Sequence, residues 1–254
     1  MGFASYQEDI VSRRAASDRS WKGGRPGAAP REVRVSMDKL KEFTASSARP
    51  LPVIVLADIS GSMAEGGKIQ SLNQAIREML ETFRDEEDLR AEIHAAVLTF
   101  GNNQVSWQAP LEPAAQVTWA DMAARGNTPM GAAFTAALTL LEDRNAIPSR
   151  AYRPTLVLVS DGQPNDEWKA PLDALLGSER GGKAQRLALG IGADADLTVL
   201  SDFLRDPASR VLRASDARGI RNFFKLVTMS VTSRSRSANP NAAPSLPADG
   251  EWDL

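Results

Sequence analysis

Val53-Ile54-Val55-Leu56-Ala57-Asp58-Ile59-Ser60-Gly61-Ser62-Met63 decides how this chain reads. The apolar run that opens it suits a strand buried on both faces, and strands of that kind belong to parallel sheets covered by helices. The run stops at an aspartate and two serines, so Asp58, Ser60 and Ser62 set three oxygen donors at one strand end.

Outward from this strand, helical and extended patterns alternate. Ile69, Leu72, Ile76, Met79, Leu80 and Phe83 follow the helical period. Ile93 to Phe100 reads as a second buried strand, and Gln104 to Gln108 alternates like a half-exposed edge strand joined to it through Gly101-Asn102-Asn103. Pro110 and Pro113 then open a loop that leads to Gly126-Asn127-Thr128-Pro129. Thr128 as N-cap and Pro129 at the first helical position predict a helix with Met130, Phe134, Ala137, Leu138 and Leu141 on one face. Thr155 to Ser160 is a third buried strand, and like the first it ends at an aspartate, Asp161, followed by Gly162. A helix over Trp168–Leu176, a strand over Ala184–Ile191, a helix over Leu197–Leu204, a short strand over Arg210–Arg213 and a helix over Ile220–Val231 complete the pattern. The expected fold is α/β and doubly wound: a mostly parallel six-stranded, Rossmann-like sheet with one antiparallel edge strand, helices on both faces and right-handed crossovers.

Both ends of the chain differ from this body. Residues 1–30 are rich in Arg, Ser, Gly, Ala and Pro and predict a mobile basic arm, while residues 31–50 predict an N-terminal extension packing on the core. The folded domain is expected over 51–232, and a Ser-, Pro- and Ala-rich disordered tail over 233–254, ending in Asp249-Gly250-Glu251-Trp252-Asp253-Leu254. Residues 1–50 carry ten Lys/Arg against six Asp/Glu, which leaves the remaining residues at -6 within a formal net charge of -2. The absence of cysteine excludes disulfides, thiolate metal sites and a cysteine nucleophile. Glu8, Asp9, Arg13 and Arg14 interrupt any apolar leader, and no apolar run reaches the roughly 18 to 20 residues of a membrane span. A cytoplasmic protein without membrane contact is expected.

In an open parallel sheet, ligands bind beyond the carboxyl ends of the strands, where the strand order reverses. That rule brings Asp58, Ser60 and Ser62 together with Asp161, and Thr128 can close the set from a neighbouring loop. Such an all-oxygen donor set suits Mg²⁺, with Mn²⁺ or Ca²⁺ as alternatives, and argues against zinc or copper. Two aspartates only just neutralise a dication and the hydroxyls add no charge. The ion is therefore left able to accept one more carboxylate, from an Asp or Glu of a protein partner.

Catalytic readings fare less well. Ser60 lacks an evident base, since the sole histidine, His94, lies in an apolar strand, and Gly-x-Ser-x-Gly is absent. Gly66-Gly67-Lys68 lacks the first glycine of a phosphate-binding loop. Asp58 and Asp161, helped by Glu65, Asp166 or Glu167, leave a metal-dependent phosphoesterase or nucleotide-processing enzyme as the alternative to a protein that is no enzyme. The arm's Arg13, Arg14, Arg19, Lys22, Arg25 and Arg31 come with one aromatic residue and no nucleic-acid module, so a solvated segment is expected there. Met63 and Met130 are expected at the rim of the metal loops, and Trp252 as a short docking motif.

Taken together, Asp58-x-Ser60-x-Ser62, Gly126-x-Thr128-Pro129-Met130-Gly131 and Val159-Ser160-Asp161-Gly162 resemble the von Willebrand factor A (VWA) domain and its metal-ion-dependent adhesion site (MIDAS), over roughly residues 50–230. The resemblance implies hydroxyl ligands at Ser60, Ser62 and Thr128, Asp58 and Asp161 acting largely through coordinated water, and an acidic residue of the partner completing the shell. Asp58-Ile59-Ser60-Gly61-Ser62-Met63, the run from Asp161 to Trp168, Ala188-Leu189-Gly190-Ile191-Gly192 and Phe223-Phe224 look like the bacterial tellurium-resistance TerY type. That likeness implies a stress-response or phage-defence assembly, with a protein kinase and a phosphatase among its partners.

Overall fold

The structure, a computed structural model, describes residues 48–86, 90–193, 195–207 and 209–242. The arm and the extension up to residue 47 lie outside these residues, as does the tail from 243 onward.

Strand β1 (Arg49–Asp58) is buried after its first residue, as its apolar run demands. It pairs in parallel with β2 (Ala91–Gly101) on one side and β4 (Thr155–Ser160) on the other. Strands β5 (Gln185–Ile191) and β6 (Leu212–Ala214) extend the parallel sheet beyond β4, and β3 (Gln104–Pro113) adds an antiparallel edge beside β2. The order β3-β2-β1-β4-β5-β6 makes six strands. The chain builds outward from β1 to one edge, then returns to build from β4 to the other. This puts the reversal between β1 and β4, at the ends of the two strands that carry Asp58 and Asp161.

Side-chain alternation sorts the core into two layers. Leu51, Val53, Val55 and Ala57 of β1 face α1 (Lys68–Arg84) and α5 (Ala217–Arg236), while Ile54 and Leu56 face α2 (Met130–Glu142), α3 (Lys169–Gly177) and α4 (Leu197–Leu204). Every apolar position expected to bury α1 does so, from Ile69 to Phe83. Met63 and Met130 are both fully buried, one in each layer, so they are core residues and not rim packing.

Three expectations need correction. Strand β3 does not stop before Pro110 but runs on through Pro113. Among the described residues it is an edge strand paired only to β2, and its register shifts opposite Ala95, Val97 and Leu98, so prolines cost few ladder hydrogen bonds there. The strand expected from residue 53 starts at Arg49, which takes Arg49 and Pro50 out of the N-terminal extension. Helix α5 continues to Arg236, past the expected start of the tail at 233. Arg234 supplies the reason. Its buried guanidinium donates to the carbonyls of Arg153 (2.5 Å) and Pro240 (2.8 Å), to Thr155 Oγ1 (2.6 Å) and to Gln185 Oε1 (3.2 Å), tying the helix end to the start of β4 and β5. Among the described residues, no helix is long and apolar enough to cross a membrane.

Candidate metal centre

The loops beyond β1 and β4 are held by main-chain bonds. Ile59 N donates to Phe100 O at 2.9 Å, Arg125 N to Ile59 O at 2.7 Å and Gly61 N to Gly126 O at 2.8 Å, so the segment before Thr128 is laced to the Asp58–Ser62 loop. Gly126 is required at this crossing. Its φ is +68°, and a Cβ there would collide with the Cα of Asn102. The Thr128 carbonyl accepts from Met130 N at 2.9 Å and Asn165 N at 3.1 Å, which ties the loop after Asp161 to the same place.

These bonds bring all five predicted residues together. Ser60 Oγ lies 3.1 Å from Ser62 Oγ, and Ser62 Oγ donates to Asp161 Oδ1 at 2.6 Å. A Cβ on Gly162 would sit 3.7 Å from Thr128 Oγ1 and 3.8 Å from Ser62 Oγ, so both hydroxyls border the same residue. Asp58 is fully buried behind them, and Ser60, Thr128 and Asp161 are buried while Ser62 is exposed. The donors are oxygens throughout, chemistry that fits a hard divalent cation.

Two neighbours escaped the sequence reading. Ser160 donates to Asp58 Oδ2 at 2.5 Å while Ser60 N donates to Oδ1 at 2.7 Å, so both carboxylate oxygens of Asp58 are engaged by protein groups. The β1–β4 register, which sets Ala57 opposite Val159, is what places Ser160 beside Asp58. Lys68, the first residue of α1, reaches Asp161 Oδ2 at 2.5 Å and remains about a quarter exposed, at 23%. A cation at a helix N-terminus opposes the helix dipole, and that mismatch was the available sign that Lys68 has a carboxylate to serve.

Burial pushes the Asp58 carboxyl up to about 6, against the lowering effect of its hydrogen bonds from Ser160 and Ser60, and the nearby charge of Asp161 adds to the rise. Two of the other acids singled out from the sequence, Asp166 and Glu167, have structural work, while Glu65 is exposed. Asp166 accepts from Gly131 N at 2.9 Å and Ala132 N at 3.0 Å, which caps α2 in place of Thr128; the helix begins at Met130, one residue after Pro129. Glu167 accepts from Lys169 N and Ala170 N at the start of α3. His94 sits in the first half of β2, opposite Pro52, with Nε2 2.8 Å from Glu92 Oε2. That position lies toward the other end of the sheet from Ser60.

A family model described as the von Willebrand factor type A domain matches residues 53–226. No curated protein matches the chain. Solved structures share the fold at low identity. The ArnB paralog VWA2 from Sulfolobus acidocaldarius is 16% identical with a TM-score of 0.55, over 73% of this chain and 46% of that one. A von Willebrand factor type A protein from Catenulispora acidiphila is 20% identical with a TM-score of 0.54, over 72% and 42%. Proximal thread matrix protein 1 from the mussel byssus, solved with a zinc-occupied MIDAS motif, is 17% identical with a TM-score of 0.53, over 73% and 48%. The match spans less than half of each of these solved chains.

Proposed function

Because the chain belongs to the von Willebrand factor type A domain family, we propose that Asp58, Ser60, Ser62, Thr128 and Asp161 hold a divalent cation through which the protein captures an acidic side chain of a protein partner. The observation that carries the reading is the convergence of Ser62 Oγ and Thr128 Oγ1 around Gly162, at the strand end where Asp58 and Asp161 supply negative charge. The bound ion would supply a Lewis-acidic position for a carboxylate oxygen. Ser60, Ser62 and Thr128 would meet the ion directly. Asp58, whose oxygens are already engaged by Ser160 Oγ and Ser60 N, would act through water. Mg²⁺ is the proposed ion, with Mn²⁺ or Ca²⁺ as alternatives, and the zinc held by the mussel protein makes Zn²⁺ a necessary comparison.

The role is binding and not turnover. Asp166 and Glu167 are occupied as helix caps and His94 pairs with Glu92, which leaves the serines of the loop without a neighbouring base from these groups. A cytoplasmic adaptor in a bacterial stress-response or phage-defence assembly, with a protein kinase and a phosphatase as partners, is the finer form of the proposal. It rests on the TerY-like motifs of the sequence.

Affinity capture from the native host, with Mg²⁺ or with EDTA, tests the reading. Partners should be retained only with the metal, and Asp161→Ala should lose them while keeping a cooperative unfolding transition. Capture that survives both chelation and the substitution would overturn it.

A further inference from the structure

At the opposite end of the sheet, residues just before β4 and β5 line a cavity of about 600 Å³, a volume ordinary for a small-molecule site. Its walls include Arg153, Arg180, Lys183 and Arg186, against Glu179 as the acidic lining residue. Glu179 is already shared, 3.5 Å from Arg144 and 3.6 Å from Lys183.

The arginines are held by carbonyls. Arg180 donates to Leu141 O at 2.7 Å and Ile147 O at 2.6 Å, and Arg186 to Leu204 O and Gly181 O, each at 3.1 Å. These bonds fix the guanidiniums in place and satisfy donors, but a neutral carbonyl adds no compensating charge. Among the described residues, no carboxylate forms a salt bridge with Arg153, Arg180 or Arg186. Arg153 Nε is buried with no hydrogen-bond partner, the one buried side-chain polar atom among the described residues left so. The like charges also crowd one another. Burial holds Arg186 below the ordinary arginine range, with the charges of Arg205 and Arg153 pushing the same way against that of Asp206, and burial with the charge of Arg153 holds Arg234 down at about 10. A buried donor without a partner, set among guanidiniums that no carboxylate bridges, is a setting that suits an anion.

We propose that this cavity binds a compact phosphate-bearing small molecule, its phosphoryl oxygens taken by Arg153, Arg186 and Lys183. A phosphoryl group fits better than a single carboxylate: it brings close to two negative charges and three acceptor oxygens to a site with several cations, and guanidinium forks match its geometry. The site uses no residue of the proposed metal centre.

Isothermal titration of the full chain in EDTA at fixed ionic strength tests this, with inorganic phosphate, pyrophosphate and acetate as probes. Pyrophosphate should bind saturably and more tightly than phosphate, acetate should not bind, and the melting temperature should rise with bound pyrophosphate. Arg153→Gln should weaken pyrophosphate at least tenfold, and Lys183→Gln, at an exposed side chain, should weaken it several-fold without altering the fold. Asp161→Ala should bind pyrophosphate like the parent chain, which separates this site from the metal reading. No saturable binding, or equal binding by Arg153→Gln and Lys183→Gln, would overturn the proposal. So would tenfold tighter binding by the full chain carrying Asp249→Asn, Glu251→Gln and Asp253→Asn, because the acidic end of the chain would then be the occupant.

Discussion

Asp58 is where burial and charge conflict most directly. A carboxyl pushed up to about 6 from 3.8 is held neutral by the fold under mildly acidic conditions. Its folded value lies above its unfolded one, so the contribution to stability is complete below 3.8 and lost as pH rises through about 6. The shift corresponds to roughly 3 kcal/mol. Urea unfolding in EDTA should therefore show the parent chain losing up to about that much relative to Asp58→Asn between pH 4 and 7; parallel curves would refute the assignment. Metal binding needs the ionised form, so affinity for Mg²⁺ should fall toward tenfold per pH unit well below 6. Removing the Ser160 hydroxyl should weaken the metal by about 10- to 100-fold in titration calorimetry, as the loss of an orienting hydrogen bond does elsewhere. At this scale the sequence was legible where residue type and strand end coincide, as at Asp58 and Asp161. It was opaque where a contact depends on register, as for Ser160, or on a side chain crossing between loops, as for Lys68.

Among the strands and α-helices, periodic patterns located each one, because burying an apolar face is a local demand on the sequence. Their ends were harder to read. Pro129 precedes α2 and does not open it, since the cap comes from Asp166, far along the chain. Asp166→Ala should cost about 1 to 2 kcal/mol by chemical denaturation, the usual value of a lost cap, and should loosen the hold on Thr128. Helix α5 outruns the apolar pattern because a buried arginine, not a hydrophobic residue, anchors its last turn. Arg234→Met removes every donor to Arg153 O, Pro240 O, Thr155 Oγ1 and Gln185 Oε1, and should destabilise by about 3 kcal/mol or more in the same assay. Polar anchors of this kind leave no periodic trace.

Over the whole molecule, the alternation of strands and helices foretold the doubly wound sheet, and the reversal between β1 and β4 explains why residues a hundred positions apart meet. The cavity at the other end was not foreseen, because its arginines are scattered through turns that carry no motif. The span of β4 separates the two sites by about 20 Å at roughly 3.3 Å per residue. The stability changes of Asp161→Ala and Arg153→Gln should therefore add to within about 0.5 kcal/mol in the double variant. The margins of the sheet carry a different consequence. One margin, β3, holds Pro110 and Pro113 and an uneven register; the other, β6, is three residues long. Neither offers a second chain a straight template of amide donors and acceptors, so strand-to-strand growth into fibres is blocked at both sides of the sheet. A chain stripped of its ion should lose its partner and stay dispersed.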